Sequence, residues 1–190
     1  KLKKYVIIYY KIKINIVEGI MAELIAYYSR RGENYFGGKI KTVEKGNTET
    51  LVETLKEITG ADVFHIKQVV EYSDEYDKCV EEVKYDFQNN IRPELDEYLQ
   101  EPEKYDTIYL AYPNYCGTMP MVLFTFLEEY DFSGKVIKPI CTHEGSGLGR
   151  SVNDIKKICD SSEVRKGLSI VGSEVKNSKE KLKNWLEKTI

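Results

Sequence analysis

Three segments of this sequence combine glycines, hydroxyls and aromatic rings directly after short apolar runs, which suits the binding of a phosphate and a flat ring. The first segment begins with Ser29-Arg30-Arg31-Gly32 and closes with Gly46-Asn47-Thr48 at the start of an amphipathic run. Free backbone N–H groups and the positive end of a helix dipole bind anions, so small residues and hydroxyls at this helix start indicate a phosphate site. Ordinary N-capping of the helix by Asn47 or Thr48 is the alternative.

The second segment is the loop Tyr112-Pro113-Asn114-Tyr115-Cys116-Gly117-Thr118-Met119-Pro120, which follows another apolar run. Tyr115 offers a ring face on which a heteroaromatic group can stack, and Gly117 permits a close approach of the backbone. The alternative is a plain turn in which Tyr115 packs as a surface hydrophobe. The loop indicates a binding site for a flat ring only in combination with the other segments.

The third segment is the loop Thr142-His143-Glu144-Gly145-Ser146-Gly147-Leu148-Gly149, which has three glycines at alternate positions before a predicted helix. Such a loop exposes many backbone N–H groups to a ligand. A glycine-rich loop is weak evidence by itself, because it often reflects only tight packing. Three such loops at one edge of one sheet are a much stronger indication of a ligand site.

Two side chains in these loops, Cys116 and His143, are candidates for a chemical role. Cys116 has Cys141 as a candidate redox partner, although both also fit as small packing residues. His143 is a candidate proton relay to a quinone, or else a loop histidine bonded to solvent or backbone. The sequence leaves both choices open, and we assign no catalytic residue and no metal ligand.

The elements that position these loops alternate between short apolar runs and longer amphipathic ones, a pattern typical of a parallel sheet covered by helices. The predicted strands are residues 23–28, 62–66, 107–111, 136–141 and a last one between 164 and 171. The predicted helices are residues 48–59, 74–89, 119–130, 149–159 and 178–188. Ligands of such sheets bind beyond the carboxyl ends of the strands where the strand order reverses, which brings the three loops together.

One connection is less regular than the others. The stretch 68–102 is polar and long for one crossover between strands. We expect it to break at Arg92-Pro93, because a residue before proline disfavours helix. The end of this crossover is therefore the least defined part of the predicted layout.

Composition limits the classes of function. With 190 residues, 42% of them hydrophobic, the chain fits one compact domain. A net charge of -3 without a basic stripe argues against a nucleic-acid partner. Four cysteines without a C-x-x-C pair, beside two histidines, disfavour a structural zinc site and indicate a reduced, cytoplasmic setting. No apolar run approaches the roughly 20 residues that span a bilayer, so no membrane partner is expected.

Residues 1–20 differ from the rest, being rich in Lys, Ile and Tyr. One hypothesis is that Met21 is the natural start and that residues 1–20 translate an AT-rich upstream region. The alternative is an extra edge strand or helix built on the apolar run 6–10. We therefore place the folded domain at 21–190 and treat 1–20 as an extension of uncertain structure.

Taken together, these residues resemble the flavodoxin family, over nearly the whole chain from Met21 onward. The family's compact phosphate loop, a hydroxyl residue followed by x-Thr-Gly-Asn-Thr, is split here between Ser29 and Gly46-Asn47-Thr48. Residues 33–45 separate the two parts, and Tyr35-Phe36-Gly37-Gly38 predicts a hairpin excursion like that of some small bacterial flavodoxins. The resemblance implies a flavodoxin-like three-layer α/β sandwich, with a five-stranded parallel sheet of order 2-1-3-4-5 and helices on both faces.

The resemblance implies FMN as a noncovalent cofactor. Its phosphate would be held by Ser29, Asn47 and Thr48, while Arg30 would be a charge partner or a side chain facing solvent. The implied cofactor-binding residues are Ser29, Arg30, Gly46, Asn47, Thr48, Pro113, Asn114, Tyr115, Cys116, Gly117, Thr118, Thr142, His143, Glu144, Gly145 and Gly147.

For the isoalloxazine ring, the resemblance implies contacts with the other two loops. Tyr115 would lie along one face, and the backbone at Cys116 and Gly117 would bond the flavin N5. The segment 142–147 would border the pyrimidine edge, where the charge of Glu144 would lower the potential of the reduced ring.

The function implied by the resemblance is low-potential electron transfer between redox partner proteins, a reductase and an acceptor, by a monomer or weak dimer. An FMN-dependent NAD(P)H or quinone oxidoreductase of the same fold is the alternative, for which His143 and an open flavin edge would matter. A third class is a flavin-free binding or regulatory module, since a fold does not fix a function.

Overall fold

The computed structural model describes residues 22–189, so residues 1–20 and the two hypotheses about them lie outside the described part. The strands are β1 Ala22–Tyr27, β2 Gly32–Phe36, β3 Lys39–Val43, β4 Asp62–His65, β5 Tyr105–Pro113, β6 Val136–His143, β7 Glu163–Val164 and β8 Leu168–Val171. The α-helices are α1 Asn47–Thr59, α2 Tyr76–Gln88, α3 Met121–Glu129, α4 Ser151–Ile158 and α5 Lys179–Lys188. Within residues 22–189, no helix is both long enough and apolar enough to cross a membrane.

The main sheet has the strand order β4-β1-β5-β6, and β7 and β8 both pair with β6. Every pair in this sheet is parallel. The predicted order is therefore confirmed, with β7 and β8 as two segments of the fifth strand. The third predicted strand is longer than expected, because β5 continues to pair with β6 as far as Pro113 and Thr142.

Alternation along β5 divides the core into two layers. Ile108, Leu110 and Tyr112 face one layer with α2, α3 and α4, whereas Tyr109 and Ala111 face the other with α1 and α5. Successive side chains of a strand point to opposite faces, and all five are buried, which is why this strand reads as one continuous apolar run. Helices cover both faces of the sheet, as the sequence predicted.

Helix α1 begins differently from the sequence prediction. Its N-cap residue is Gly46, rather than either of the two polar residues that follow. The capping hydroxyl comes from Ser29, whose Oγ accepts from the Glu49 N–H at 3.2 Å. This cap is supplied across a tertiary contact from the end of β1. A Cβ at position 46 would lie 2.5 Å from the Arg30 carbonyl oxygen, so only glycine fits there.

Strands β2 and β3 pair antiparallel and turn at Gly37-Gly38, which confirms the predicted hairpin. Both glycines have positive φ, 58° and 87°, as a tight two-residue hairpin turn requires. The base of the hairpin is joined to the segment before α2. The Glu33 N–H donates to the Asp74 carbonyl at 2.8 Å, and the Tyr76 N–H donates to Glu33 Oε2 at 2.9 Å.

The crossover from β4 to β5 is irregular after α2. The helix ends at Gln88, earlier than the break that was predicted at Arg92-Pro93. The chain then returns along the start of the crossover, where the Val69 N–H donates to the Glu94 carbonyl at 3.0 Å. A short 3-10 helix at Pro102–Lys104 leads into β5.

His65, at the end of β4, gives the fold a pH dependence. Its ring stacks on Tyr27, with centroids 4.4 Å apart, and burial together with the charge of Lys67 lowers its pKa below the ordinary value. Protonation is therefore less favourable in the folded chain than in the unfolded one. The stability contributed by neutral His65 is fully present above about pH 6.5 and is lost as the pH falls through the lower folded pKa.

We expect His65→Phe, which keeps a ring against Tyr27, to lose less unfolding free energy than the wild type between about pH 7.5 and about pH 5. The difference cannot exceed about 1.4 kcal/mol per pH unit, the limit for one proton. Urea unfolding at both pH values measures it. Equal pH slopes for wild type and His65→Phe would contradict the assignment.

Candidate functional site

The carboxyl ends of β1, β5 and β6 meet at one cleft of about 410 Å³. This volume lies in the usual range for small-molecule sites, roughly 300–1,000 Å³. Eleven of the sixteen predicted site residues line the cleft, namely Ser29, Arg30, Asn47, Thr48, Pro113, Asn114, Tyr115, Cys116, Thr142, His143 and Glu144. The other five lie in the same loops without lining it, namely Gly46, Gly117, Thr118, Gly145 and Gly147. The three loops therefore come together as the sequence predicted.

The N-terminus of α1 faces one end of the cleft through Asn47 and Thr48. The backbone N–H groups of a first helical turn have no intrahelical acceptor and carry the positive end of the dipole. Thr48 Oγ1 lies 2.8 Å from Thr142 Oγ1 in a buried hydrogen bond, which fixes the first loop to the third. The Ser29 hydroxyl caps α1 through the Glu49 N–H. Backbone N–H groups thus make this end suitable for an anion, and the hydroxyls hold the loops.

A glycine outside the three predicted loops, Gly172, packs against two side chains that line the cleft. Gly172 directly follows β8 and packs against the side chain of Asn47. A Cβ at position 172 would also lie 2.5 Å from Oε1 of Glu144. No local signal marks this glycine, because its role depends on how two distant loops pack. Sequence reasoning therefore missed it.

The second loop closes in a tight turn over residues 115–118. The Tyr115 N–H donates to the Thr118 carbonyl at 3.0 Å, and the Thr118 N–H donates to the Tyr115 carbonyl at 2.9 Å. The central residues Cys116 and Gly117 have φ values of 50° and 74°, and two positive values at these positions define a type I′ turn. The loop thus presents a fixed backbone edge at the cleft.

Asn114 ties this turn to the third loop. Its Oδ1 accepts from the Gly117 N–H at 3.1 Å, and its Nδ2 donates to the Gly147 carbonyl at 2.9 Å. The Gly117 carbonyl in turn accepts from the Arg150 N–H at 2.8 Å. Both backbone groups of Gly117 therefore have protein partners. The Cys116 carbonyl, which belongs to the same trans peptide as the Gly117 N–H, points in the opposite direction.

Tyr115 is half-buried rather than an exposed surface residue. Its ring meets the rings of Tyr28 and Tyr72 edge-on, at centroid distances of 6.1 Å and 6.5 Å. Burial raises the pKa of its hydroxyl well above the ordinary value, so the phenol stays neutral. The ring is therefore anchored in the core while it lines the cleft. Its stacking on a ligand stays a prediction.

Arg30 is buried, with 7% of its surface exposed, so the solvent-facing alternative is wrong. Its Nε and Nη2 donate to the Ser73 carbonyl at 3.1 Å and 2.7 Å, and its Nη1 donates to the Glu33 carbonyl. These bonds hold the guanidinium on the α2 side of the cleft. In the described part of the chain it has no salt bridge.

The third loop is joined to the hairpin through Glu144. Its Oε2 accepts from the Gly37 N–H at 3.1 Å, and its Oε1 accepts from the Ser173 N–H at 3.0 Å. The tip of the hairpin is therefore attached to the loop after β6 and to the turn after β8. Since both carboxylate oxygens are bonded to N–H groups, Glu144 acts here as a connection between loops.

The structure favours the non-chemical alternatives for the other side chains that the sequence singled out. His143 Nδ1 accepts from the Gly145 N–H at 2.9 Å, and burial lowers its pKa, which favours the backbone-bonded alternative over a proton relay. Cys116 is exposed, whereas Cys141 is buried, and burial raises the pKa of the Cys141 thiol to about 12. Both cysteines are free, and this geometry favours their role as small packing residues.

The family model described as Flavodoxin matches residues 41–189. The chain belongs to the flavodoxin family. Among solved structures, this flavodoxin is similar to a candidate flavoprotein from Bacteroides eggerthii DSM 20697, with 20% identity, a TM-score of 0.72, and coverage of 88% of this chain and 97% of that chain.

A second similar structure is a flavoprotein from Lactobacillus acidophilus NCFM in complex with FMN, with 19% identity and a TM-score of 0.61. The match covers 83% of this flavodoxin and 97% of that chain. At these identities the likeness shows the fold. No curated protein matches the sequence.

The cleft of this flavodoxin has a second wall that was not among the predicted site residues. The hairpin and α2 form it, and its lining residues are Asn34, Tyr35, Tyr76, Cys79, Val80, Val83 and Lys84. The sequence does show an apolar face along α2. It does not show that part of this face borders a ligand site, because that depends on where the hairpin lies. Ser146 of the third loop also lines the cleft and was not predicted.

Proposed function

We propose that this flavodoxin binds FMN noncovalently and carries electrons between a reductase and an acceptor protein. The observation that carries the proposal is the convergence of three strand-end loops on one cleft, with the N-terminus of α1 at one end and the type I′ turn along it. The family match supports FMN, as does the FMN complex of the similar Lactobacillus acidophilus protein.

The residues present fit this cofactor. A phosphate accepts several hydrogen bonds, which the first-turn N–H groups of Asn47 and Thr48 and the α1 dipole can satisfy. Of the described residues lining the cleft, Glu144 alone carries a carboxylate, and both of its oxygens already accept N–H groups. The described lining of the cleft therefore has no free acid to repel a phosphate, and Glu49 in the first turn of α1 is not part of that lining.

In this proposal, FMN supplies the redox chemistry when bound, and the protein controls its position and potential. The first turn of α1 binds the phosphate. Asn114 holds the turn 115–118 in place, and this turn presents backbone to the ring. The core side of Tyr115 keeps that loop rigid through its packing on Tyr28 and Tyr72.

Thr48→Val tests the phosphate end. The variant removes the buried hydrogen bond to Thr142 that positions the first turn of α1. We expect affinity for FMN to fall about tenfold, equal to about 1.4 kcal/mol, while affinity for riboflavin, which lacks the phosphate, changes less. Quenching of flavin fluorescence on titration of the apoprotein measures both affinities.

The matched control is Thr59→Val, the same substitution in the last turn of α1, where the hydroxyl bonds the Leu55 carbonyl away from the cleft. It should leave FMN binding unchanged. Equal losses for FMN and riboflavin in Thr48→Val would move the phosphate away from this helix. A wild-type protein that is colourless and refuses added FMN would end the proposal.

The second candidate is an FMN-dependent NAD(P)H or quinone oxidoreductase. One observation favours it: the cleft extends beyond the cofactor loops to an aromatic and apolar wall with Tyr35, Tyr76, Val80 and Val83, where a small substrate could meet the ring. Steady NAD(P)H consumption by the purified protein with a quinone, without any partner protein, would select this candidate. Its absence, together with electron exchange with a reductase, would select the carrier.

A further inference from the structure

Arg30 is a buried cation that forms no salt bridge with the described residues. Its guanidinium donates to carbonyl oxygens of Ser73 and Glu33. Neither nearby carboxylate forms an ion pair with the guanidinium, since Glu33 Oε2 accepts from the Tyr76 N–H and Glu82 Oε2 accepts from the Ser73 N–H. Burying a charge is costly, so a buried cation that lines the cleft and has no ion pair is suited to an anionic ligand.

The position of Arg30 separates it from the phosphate end. Ser29 reaches α1, through the Glu49 N–H, while Arg30 reaches the segment before α2, through the Ser73 carbonyl. The cation therefore lies on the side of the cleft formed by Tyr115 and α2, where the ring rather than the phosphate is expected.

The positive charge of Arg30 acts on the ionisable groups beside it. Burial raises the pKa of the Cys79 thiol and of the Tyr115 hydroxyl, and the positive charge of Arg30 opposes both increases. The guanidinium thus already favours negative charge on neighbouring groups. Coulomb interactions are stronger in such a partly dry site than in water.

We propose that Arg30 stabilises the negative charge of the reduced isoalloxazine ring, so that this protein binds reduced FMN more tightly than oxidised FMN. The inference rests on the proposed function. Two-electron reduction adds two electrons and one proton, the proton at N5, and leaves one negative charge on the ring. A fixed cation beside the ring favours that product, so the bound potential lies above that of free FMN, in contrast to the low potential expected from the sequence.

This proposal also restricts the redox partners. A cofactor with a raised potential is reduced readily by donors of the nicotinamide class and passes its electrons only to acceptors of still higher potential. It is a poor donor for strongly reducing reactions. The tuning by Arg30 therefore distinguishes this chain from a low-potential carrier.

Arg30→Gln tests the inference, because glutamine removes the charge but can still donate to the Ser73 carbonyl. We expect the ratio of the dissociation constants for oxidised and reduced FMN to fall at least tenfold, which lowers the two-electron potential by about 30 mV or more. Anaerobic titration with dithionite against a reference dye gives the potential, and fluorescence quenching gives the affinity for oxidised FMN.

Two further variants separate charge from structure. Arg30→Lys keeps the charge and should retain most of the potential. Lys84→Gln removes a cation that also lines the cleft but is exposed, so solvent screening should make its effect less than half as large. If Arg30→Gln does not fold, the potential of FMN bound to the wild-type protein still tests the proposal. A bound potential at or below that of free FMN contradicts it.

The measurements distinguish a failure of the inference about Arg30 from a failure of the proposed FMN binding. If Arg30→Gln weakens the binding of oxidised and reduced FMN equally, the potential stays unchanged, and Arg30 is a phosphate anchor rather than a tuning residue. If Lys84→Gln shifts the potential as much as Arg30→Gln does, the buried position is irrelevant and the inference is wrong. If the wild type binds no FMN, the proposed function itself fails.

Discussion

Gly149→Ala is expected to abolish most FMN binding and to lower the free energy of unfolding by about 3 kcal/mol. Gly149 has a φ of 54°, in the left-handed region that costs other residues about 1–2 kcal/mol. A Cβ at this position would overlap the Gly117 carbonyl, lie 2.7 Å from its carbon, and lie 3.2 Å from Asn114 Nδ2. The added methyl group must therefore push the turn 115–118 away from the third loop.

The loss of binding follows from the bonds that this displacement breaks. The Gly117 carbonyl accepts from the Arg150 N–H at 2.8 Å, and Asn114 bridges the two loops. With both connections disturbed, the turn no longer presents its backbone edge at the cleft. We expect affinity for FMN to fall about 100-fold, or about 2.7 kcal/mol.

Gly134→Ala is the matched control. Gly134 has a φ of 73°, and a Cβ there meets nothing within 4 Å. This variant should cost only the conformational term, about 1–2 kcal/mol, and should leave FMN affinity unchanged. Urea unfolding and FMN titration compare the two variants. Similar losses of unfolding free energy in the two variants would mean that the Gly117 carbonyl moves away from the added methyl group at little cost. The predicted displacement of the turn 115–118 would then be wrong.

The parts of the fold that follow from the sequence are those fixed by local patterns. The apolar run 107–111 predicts a buried strand, because a strand covered on both faces has apolar side chains pointing both ways. Gly37-Gly38 between short alternating runs predicts a hairpin, because both positions of its turn need positive φ. Both predictions are confirmed in the structure.

The parts that do not follow depend on contacts between distant segments. The cap of α1 comes from Ser29, twenty residues before Glu49, and it replaces the local caps that Asn47 and Thr48 offered in the sequence. Arg30 carries no local sign that it turns inward, since its partners are carbonyl oxygens, which every residue has. Residue type therefore predicted the loops better than the directions of their side chains.

In the candidate site, too, some features follow from local sequence patterns and others depend on contacts between distant segments. Loops that follow strands β1, β5 and β6 could be named because the rule for parallel sheets places their ends at one edge. The wall formed by the hairpin and α2 could not, since it depends on the docking of an insertion. Glu144 illustrates the point: its charge is evident in the sequence, but its two bonds to Gly37 and Ser173 are visible only in the structure.

The two bonds of Glu144 to the Gly37 and Ser173 N–H groups are the basis of the second prediction. It concerns the rate at which FMN dissociates from the cleft. The hairpin contributes Asn34 and Tyr35 to the cleft wall, and Glu144 fastens its tip. Hydrogen bonds from N–H groups to a carboxylate contribute about 1.5–3 kcal/mol each. We expect Glu144→Gln to raise the FMN dissociation rate at least about tenfold, because an amide retains one acceptor oxygen and turns an NH₂ group toward the other N–H.

Glu174→Gln is the matched control, since it removes the same charge from an exposed side chain close to Ser173 in the chain. Stopped-flow displacement of FMN gives the dissociation rates, and hydrogen exchange at Gly37 and Ser173 reports whether the tip has detached. Faster exchange at both amides with an unchanged dissociation rate would mean that the hairpin does not retain the cofactor. Slow exchange in Glu144→Gln would mean that other contacts fasten the tip, and that the carboxylate is dispensable there.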